Sequence, residues 1–380
     1  MKNLRSLLLW SIIAAAFIGP GTVTTATKAG AAGSWAYVWP VCLAGLAGFV
    51  LMEMAARVTA ASDLSLGQLV RGRGWQWLAW PLFIAVGIGC AAYESGNLLG
   101  GLKGMQLIQP LAKEWVLLLG LLAGLLLYTG NIKRISQYLA VIVALMGLSF
   151  LYTGWVASGK QLISEAVDTE AAIIVGLLGT TIVPYNFFIA AGLGKGQRLG
   201  EMRLGLGISF GLGILITLGI LLTGGLLTEF TDFAALADVL QAELGSFGKW
   251  MLALGLAAAG LSSAITAPLA LALAGQSLLG KDRETWQNEG RWFRLSWLLC
   301  LCFGLAVALF DFNIVAVIFS AQLINGLFLP FIAGLVLLLA NDQKRLGLAA
   351  NHWWQNLLGG AIFLYLCWQN FGAVVDLLNN

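Results

Sequence analysis

The chain has 380 residues, 59% of them hydrophobic and only 10% charged, with a mean hydropathy of +0.87 and a formal net charge of +3. A soluble domain is typically about 25% charged, so most of this chain must meet lipid rather than water. The small charge, with no basic run interleaved with aromatics, gives no sign of a nucleic-acid partner.

Met1 to Arg5 is short and basic and leads into an apolar stretch. Ala14-Ala15-Ala16 mimics a signal-peptide cleavage site, but the motif just beyond it favours an uncleaved first helix. Segments long enough to span a bilayer, about 20 residues each, follow in order. The first five are Leu7–Lys28, Trp35–Ala56, Trp75–Leu102, Trp115–Tyr128 and Ile135–Val156. The next six are Ala171–Leu193, Leu204–Leu227, Trp250–Leu279, Phe293–Phe310, Ile314–Ala340 and Leu357–Leu378. The expected fold is therefore all-α and integral to the membrane, with about 11 transmembrane helices in one domain over residues 1–380.

Basic residues set the orientation. With the N-terminus cytoplasmic, 16 of the 21 Lys and Arg fall on the inner side and 5 outside. This predicts a multi-pass protein of the cell (inner) membrane, N-terminus inside and C-terminus outside. The stretch Thr228 to Glu243 reads as an acidic outer loop. Trp35, Trp39, Trp75, Trp77, Trp80, Trp115, Trp155, Trp250, Trp353 and Trp354 stand near span ends and read as interfacial anchors. Cys42, Cys90, Cys300, Cys302 and Cys367 lie in apolar stretches and read as unpaired core residues. The lone His352 sits in a loop-like segment beside Trp353 and reads as an interface residue.

Two spans carry breaks. The first contains Gly19-Pro20-Gly21-Thr22, and the sixth contains Thr180-Thr181-Ile182-Val183-Pro184-Tyr185-Asn186. Proline removes a helix donor and clashes with the preceding turn. Glycine beside it eases unwinding. Unwound backbone at membrane depth is tolerated where it lines a cavity or is buried in protein. Breaks at the first and sixth spans fit two inverted five-helix repeats, about 7–157 and 168–340, with an extra helix at about 354–378. Paired breaks of this kind point to alternating access in a secondary transporter rather than to a channel, a scaffold or an enzyme. One histidine and two embedded glutamates, Glu53 and Glu94, do not furnish a catalytic cluster.

These residues resemble the Nramp family of proton-coupled metal transporters, which have the LeuT-type fold. Gly19-Pro20-Gly21-Thr22 and Lys28-Ala29-Gly30-Ala31 match the family's first-span pattern. Met54-Ala55-Ala56-Arg57 with Asp63-Leu64, Lys133-Arg134 through Gly147 to Tyr152, and Gly179 to Asn186 match the second, fifth and sixth. Ser262-Ser263 and Leu329-Pro330-Phe331 match the eighth and tenth. The resemblance implies a metal site made by an aspartate, an asparagine, a methionine and an alanine carbonyl. Here those positions are Gly19, Thr22, Val183 and Thr180, and a histidine position is Tyr185. An acidic pair that serves protons stands as Glu94 and Asn97.

Without a carboxylate, thioether or imidazole, a dication would be stripped of water without repayment. The donors left are Thr22, Thr180, Thr181, Tyr185 and Asn186, with Gly19, Pro20, Gly21 and Pro184 shaping free helix ends. Such a pocket predicts a small anion such as bicarbonate, or a small carboxylate, as cargo. The alternative is a divalent metal cation, magnesium or manganese, coupled to protons.

Ala259, Ser262 and Ser263 share one face of the eighth span and could meet the carbonyls of Ala15 and Ile18. LeuT-type sodium sites are built this way, so the anion would be coupled to a sodium bound here or to protons, and no other cofactor is expected. Glu94, with Tyr93 and Asn97, is the candidate for a proton relay or gate, and Lys28 lies beyond the first break on the outer side. Glu53, one turn before Arg57, reads as an ion pair at the inner edge. Gln322 and Asn325 fit either the pathway or helix packing. The expected partners are the lipid bilayer and a small inorganic or organic ion, in a monomer or loose homo-oligomer.

Overall fold

A computed structural model describes residues 18–130, 132–160, 169–280, 284–287 and 290–379, and every regular element among them is helical. The first-span residue Ala15 lies outside the described residues. Helix α1 (Pro20–Gly33) leads through a 3-10 turn (Ser34–Tyr37) into α2 (Val38–Ser62). A short amphipathic helix, α3 (Leu66–Gly72), precedes α4 (Ala79–Gln106), α5 (Val116–Thr129) and α6 (Ile132–Ser158). The sixth predicted span is two helices, α7 (Ala171–Thr181) and α8 (Asn186–Gly194). Then come α9 (Leu199–Gly224), α10 (Phe233–Leu244), α11 (Ser246–Leu279), α12 (Arg291–Ala308) and α13 (Ile314–Ala340). The one-turn α14 (Gln343–Leu346) and the final α15 (Trp353–Asn379) complete the chain.

Nine helical stretches among the described residues are long and apolar enough to cross a membrane. The expected count of eleven differs for two local reasons. The α1–α2 hairpin runs as one helical stretch, Pro20–Ser62, through its 3-10 turn. Helix α5 has only 14 residues, short of a bilayer's thickness at 1.5 Å per residue.

The predicted acidic loop from Thr228 is corrected over most of its length. It holds α10, capped by the Asp232 carboxylate accepting from the Phe233 N–H at 2.8 Å. Phe233, Leu236, Ala237 and Leu240 recur at helical spacing and are buried, with α10 packed on α11.

Helices α4 and α11 form the longest packed pair in the molecule. Small residues allow this: a Cβ on Gly260 would lie 2.5 Å from Gly101 Cα and 2.6 Å from the Asn97 carbonyl oxygen. Between lipid-solvated helices such close backbone approach replaces the hydrophobic drive available in water. Of the ten tryptophans near span ends, Trp35, Trp39, Trp77, Trp80, Trp115, Trp155, Trp250, Trp353 and Trp354 are exposed and Trp75 is half-buried. All five cysteines are free.

Candidate functional site

Gly19 caps α1 in an extended conformation, φ −108° and ψ 177°, with Pro20 at the first helical position. Proline is preorganised for that position because its missing N–H would lack a helical partner anyway. In the sixth span α7 ends at Thr181, Ile182 leaves the helix at φ −112° and ψ 65°, and α8 resumes at Asn186. Pro184 lies in the gap. The sixth-span break is thus present in the described backbone, and in the first span the helix begins at Pro20; both places are buried.

The breaks face each other. The Thr22 and Thr180 hydroxyls hydrogen-bond at 2.9 Å, both buried. Across from them stands Gln322 of α13, so close that a Cβ on Gly21 would lie 2.3 Å from its Nε2. A Cβ on Gly19 would meet Ser263 Oγ at 3.4 Å and the Tyr93 hydroxyl at 3.7 Å. The Tyr93 ring meets Tyr185 edge-to-face, centroids 5.8 Å apart. Helices α1, α4, α7, α11 and α13 and the α7–α8 break therefore converge on one polar point. The sequence reading placed Thr22, Thr180 and Tyr185 near a common site, and they do approach here. From sequence, Tyr93 groups with Glu94 and Asn97 as a relay or gate and not with the first break, and Gln322 fits either pathway or packing. Their signal was a polar group on an otherwise apolar helix face.

Two side chains at this point carry buried polar atoms without hydrogen bonds, Asn186 with both and Gln322 with Oε1; Asn325 on α13 and the hydroxyls of Thr24, Thr25 and Thr27 along α1 are likewise unsatisfied. Buried polar groups normally find partners, so these atoms are poised for water or a solute. The threonine ladder beyond Thr22 was not singled out from sequence; four threonines within six residues of one apolar helix was the available signal.

Other expectations divide. Ser263 lies beside Gly19 and Ile18 is buried. The Ser262 hydroxyl donates instead to the Ala259 carbonyl at 3.0 Å, which ties two of the expected sodium ligands to each other. Thr181 is buried in the last turn of α7. Lys28 turns its Nζ onto the Phe319 ring, 4.2 Å from the centroid. Glu94 is fully buried, and its carboxylate oxygens make no hydrogen bond. Its stem packs on α12, where a Cβ on Gly304 would come within 2.5 Å of its Cγ. Asn97 is buried one turn along α4, its amide nitrogen likewise unpaired. No group of three or more His, Cys, Asp or Glu that could hold a metal ion exists among the described residues.

Away from this point, Glu53 and Arg57 pair as expected, Nε to both carboxylate oxygens at 3.0 and 3.1 Å. Arg203 of α9 adds a 2.9 Å bond to Glu53. Arg57 also donates to the Asn351 side chain at 2.7 Å and to the Ala349 carbonyl. His352 is exposed in a loop, its N–H donating to Gln355.

A helix that starts at the buried Pro20 against an interrupted α7–α8 span, inside an apolar bundle, is the arrangement of the LeuT-type fold. Solved structures agree: the manganese transporter of Eremococcus coleocola superposes with a TM-score of 0.77 at 17% identity, covering 97% of this chain and 85% of that one. MhsT in complex with L-phenylalanine superposes at 0.63 with 12% identity, covering 95% and 98%. The chain matches the natural resistance-associated macrophage protein-like profile over residues 11–376 and belongs to the Nramp family. It is a multi-pass membrane transporter and not an enzyme. It is 22% identical to the divalent metal cation transporter MntH of Levilactobacillus brevis, across 97% of this chain and 88% of that protein. With MntH of Verminephrobacter eiseniae it is 25% identical, but the match covers 48% of this chain and only 44% of that protein's length.

Proposed function

We propose that this chain is a secondary active transporter whose cargo is a small hard ion bound beside the point where Thr22 and Thr180 meet. The first candidate is a divalent metal cation carried with most of its water, magnesium before manganese. The carrying observation is a site of oxygen and amide donors alone, in a chain whose whole length follows the Nramp pattern. Relatives named as divalent metal cation transporters support a metal over the anion expected from sequence. Gly19, Val183 and Tyr185 supply no carboxylate, thioether or imidazole, so the softer transition metals lose their ligands. Magnesium keeps its waters, and hydroxyls, the Gln322 amide and the free carbonyls ending α7 can accept from such a shell. Glu94 is the one buried carboxylate beside the site among the described residues and is the proton-coupling group in this reading. Sodium at Ala15, Ile18, Ala259, Ser262 and Ser263 has no support from the relatives.

A second reading keeps bicarbonate or a small carboxylate as cargo. It is favoured by one observation: the side chains meeting at the breaks are neutral, and two helices, α1 and α8, begin there. In either reading the site comprises Gly19, Pro20, Gly21, Thr22, Thr180, Thr181, Pro184, Tyr185 and Asn186. The repeats at about 7–157 and 168–340 rock about it. The placement is the inner membrane, N-terminus cytoplasmic and C-terminus outside.

Uptake into proteoliposomes tests this with magnesium, manganese, bicarbonate and small carboxylates in parallel. Saturable magnesium uptake, driven by an inward proton gradient and indifferent to choline replacing sodium, is expected. Anion flux without divalent flux overturns the first reading in favour of the second. Tight manganese uptake at low concentration overturns the second reading and the precedence of magnesium in the first.

A further inference from the structure

A cavity of about 740 Å³ opens on the lipid-facing side between α4, α11 and α12, far in sequence from either break. Its walls are aromatic: Trp77, Trp80, Phe83, Trp286 and Trp292 line it, with Arg71 of α3 at one edge. Phe83 and Trp286 lock edge-to-face at 5.9 Å and fix the wall. Trp77 and Trp80 are 68% and 60% exposed, a disposition suited to the headgroup level of a bilayer and not to water. The volume lies within the range of ligand pockets, roughly 300–1,000 Å³.

The polar edge has a sign. Arg71 Nη1 donates to the carbonyls of Ser277 and Leu278, at 3.1 and 2.5 Å. Those bonds fasten the guanidinium at the mouth of the cavity, and no described residue takes up its other N–H groups. Arg291 adjoins the lining residue Trp292 in the chain, its Cζ 5.2 Å from that ring. No carboxylate lines the cavity among the described residues. Guanidinium groups match phosphate oxygens bidentately, and basic pockets between transmembrane helices capture anionic lipid headgroups.

We propose that this groove is a binding site for one anionic phospholipid, its phosphate on Arg71 and Arg291 and an acyl chain along the tryptophan-lined wall. The lipid bridges α3 and α4 to the ends of α11 and α12, and so cements helices that lie outside the two broken spans. This inference is independent of the cargo.

Native mass spectrometry of the full-length protein, offered equal phosphatidylglycerol and phosphatidylcholine, tests it. One retained phosphatidylglycerol per chain, preferred at least five-fold, is expected. Gly87 lines the cavity, and a Cβ there would meet only Leu271 Cδ1 at 3.7 Å. Gly87→Phe therefore fills the space and cuts retained phosphatidylglycerol at least five-fold, while Arg291→Gln, at an exposed side chain, reduces the preference. Equal retention of the two lipids by the unaltered protein overturns the proposal, whether or not the variants fold. Undiminished phosphatidylglycerol on monodisperse Gly87→Phe protein also overturns it.

Discussion

Thr22 and Thr180 stand 158 positions apart in the chain, yet their hydroxyls share one hydrogen bond at the meeting of the two breaks. A neutral hydrogen bond to the cargo or its hydration shell is worth about 1 kcal/mol net, so Thr180→Val should raise the KM for uptake roughly five-fold. The double variant Thr22→Val/Thr180→Val should cost about the sum of the two single losses, because each hydroxyl serves the cargo in the proposed site. A double variant no worse than either single one would show that the two hydroxyls act only through their mutual bond. Gly21 is a stricter position. Its missing side chain leaves room for the Gln322 amide, and Gly21→Ala must push that amide aside. Uptake is expected to fall at least ten-fold with little change in melting temperature, since a flexible side-chain end can move. Unaltered uptake by a folded Gly21→Ala protein would remove Gln322 from the pathway.

Helices α2 and α9 and the loop before α15 are joined by one charged knot. Arg57 is 2% exposed and is among the largest fully buried side chains of the protein. Glu53 neutralises it and also receives Arg203. Removing one partner of a buried pair costs about 3–5 kcal/mol, because the other charge is left in low dielectric. Glu53→Ala should therefore lower the thermal midpoint of the detergent-solubilised protein sharply. Arg203→Ala, at an exposed side chain, should change it little. Sequence reading reached the Glu53–Arg57 pair because i, i+4 spacing is a local rule. Arg203, Asn351 and Ala349 come from remote segments, and no local rule could bring them in. The same limit explains α10. A stretch taken for an acidic loop proved helical, because its apolar spacing found a surface on α11 to bury against.

The basic end of the molecule is held by a clasp between α3 and the end of α13. Asp342 accepts from Arg73 Nε at 3.1 Å, and Arg345 reaches back to the Leu69 carbonyl at 3.2 Å. Desolvation pushes the Asp342 carboxyl up, but the hydrogen bond and charge of Arg73, with the Arg345 backbone bond and charge, outweigh it and hold the carboxyl below its ordinary value. A depressed folded-state pKa contributes stability above the unfolded value, about 3.9. That contribution fades as pH falls through the lower folded value. Melting temperature should therefore drop below about pH 4, and Asp342→Asn should remove this share of the acid sensitivity while lowering stability at neutral pH. An identical acid limb in the variant would dissociate the clasp from acid stability. By itself the sequence determined membrane residence, the order of the spans, the two proline breaks and the family pattern. Each follows from hydropathy and from backbone chemistry acting within a few residues. Only the tertiary structure decided which side chains share the central point, that Tyr93 and Gln322 stand there with Thr22 and Thr180, and that Ser262 turns back onto Ala259. Such meetings depend on how helices cross and which small residues let them approach, and neither is a property of any one segment.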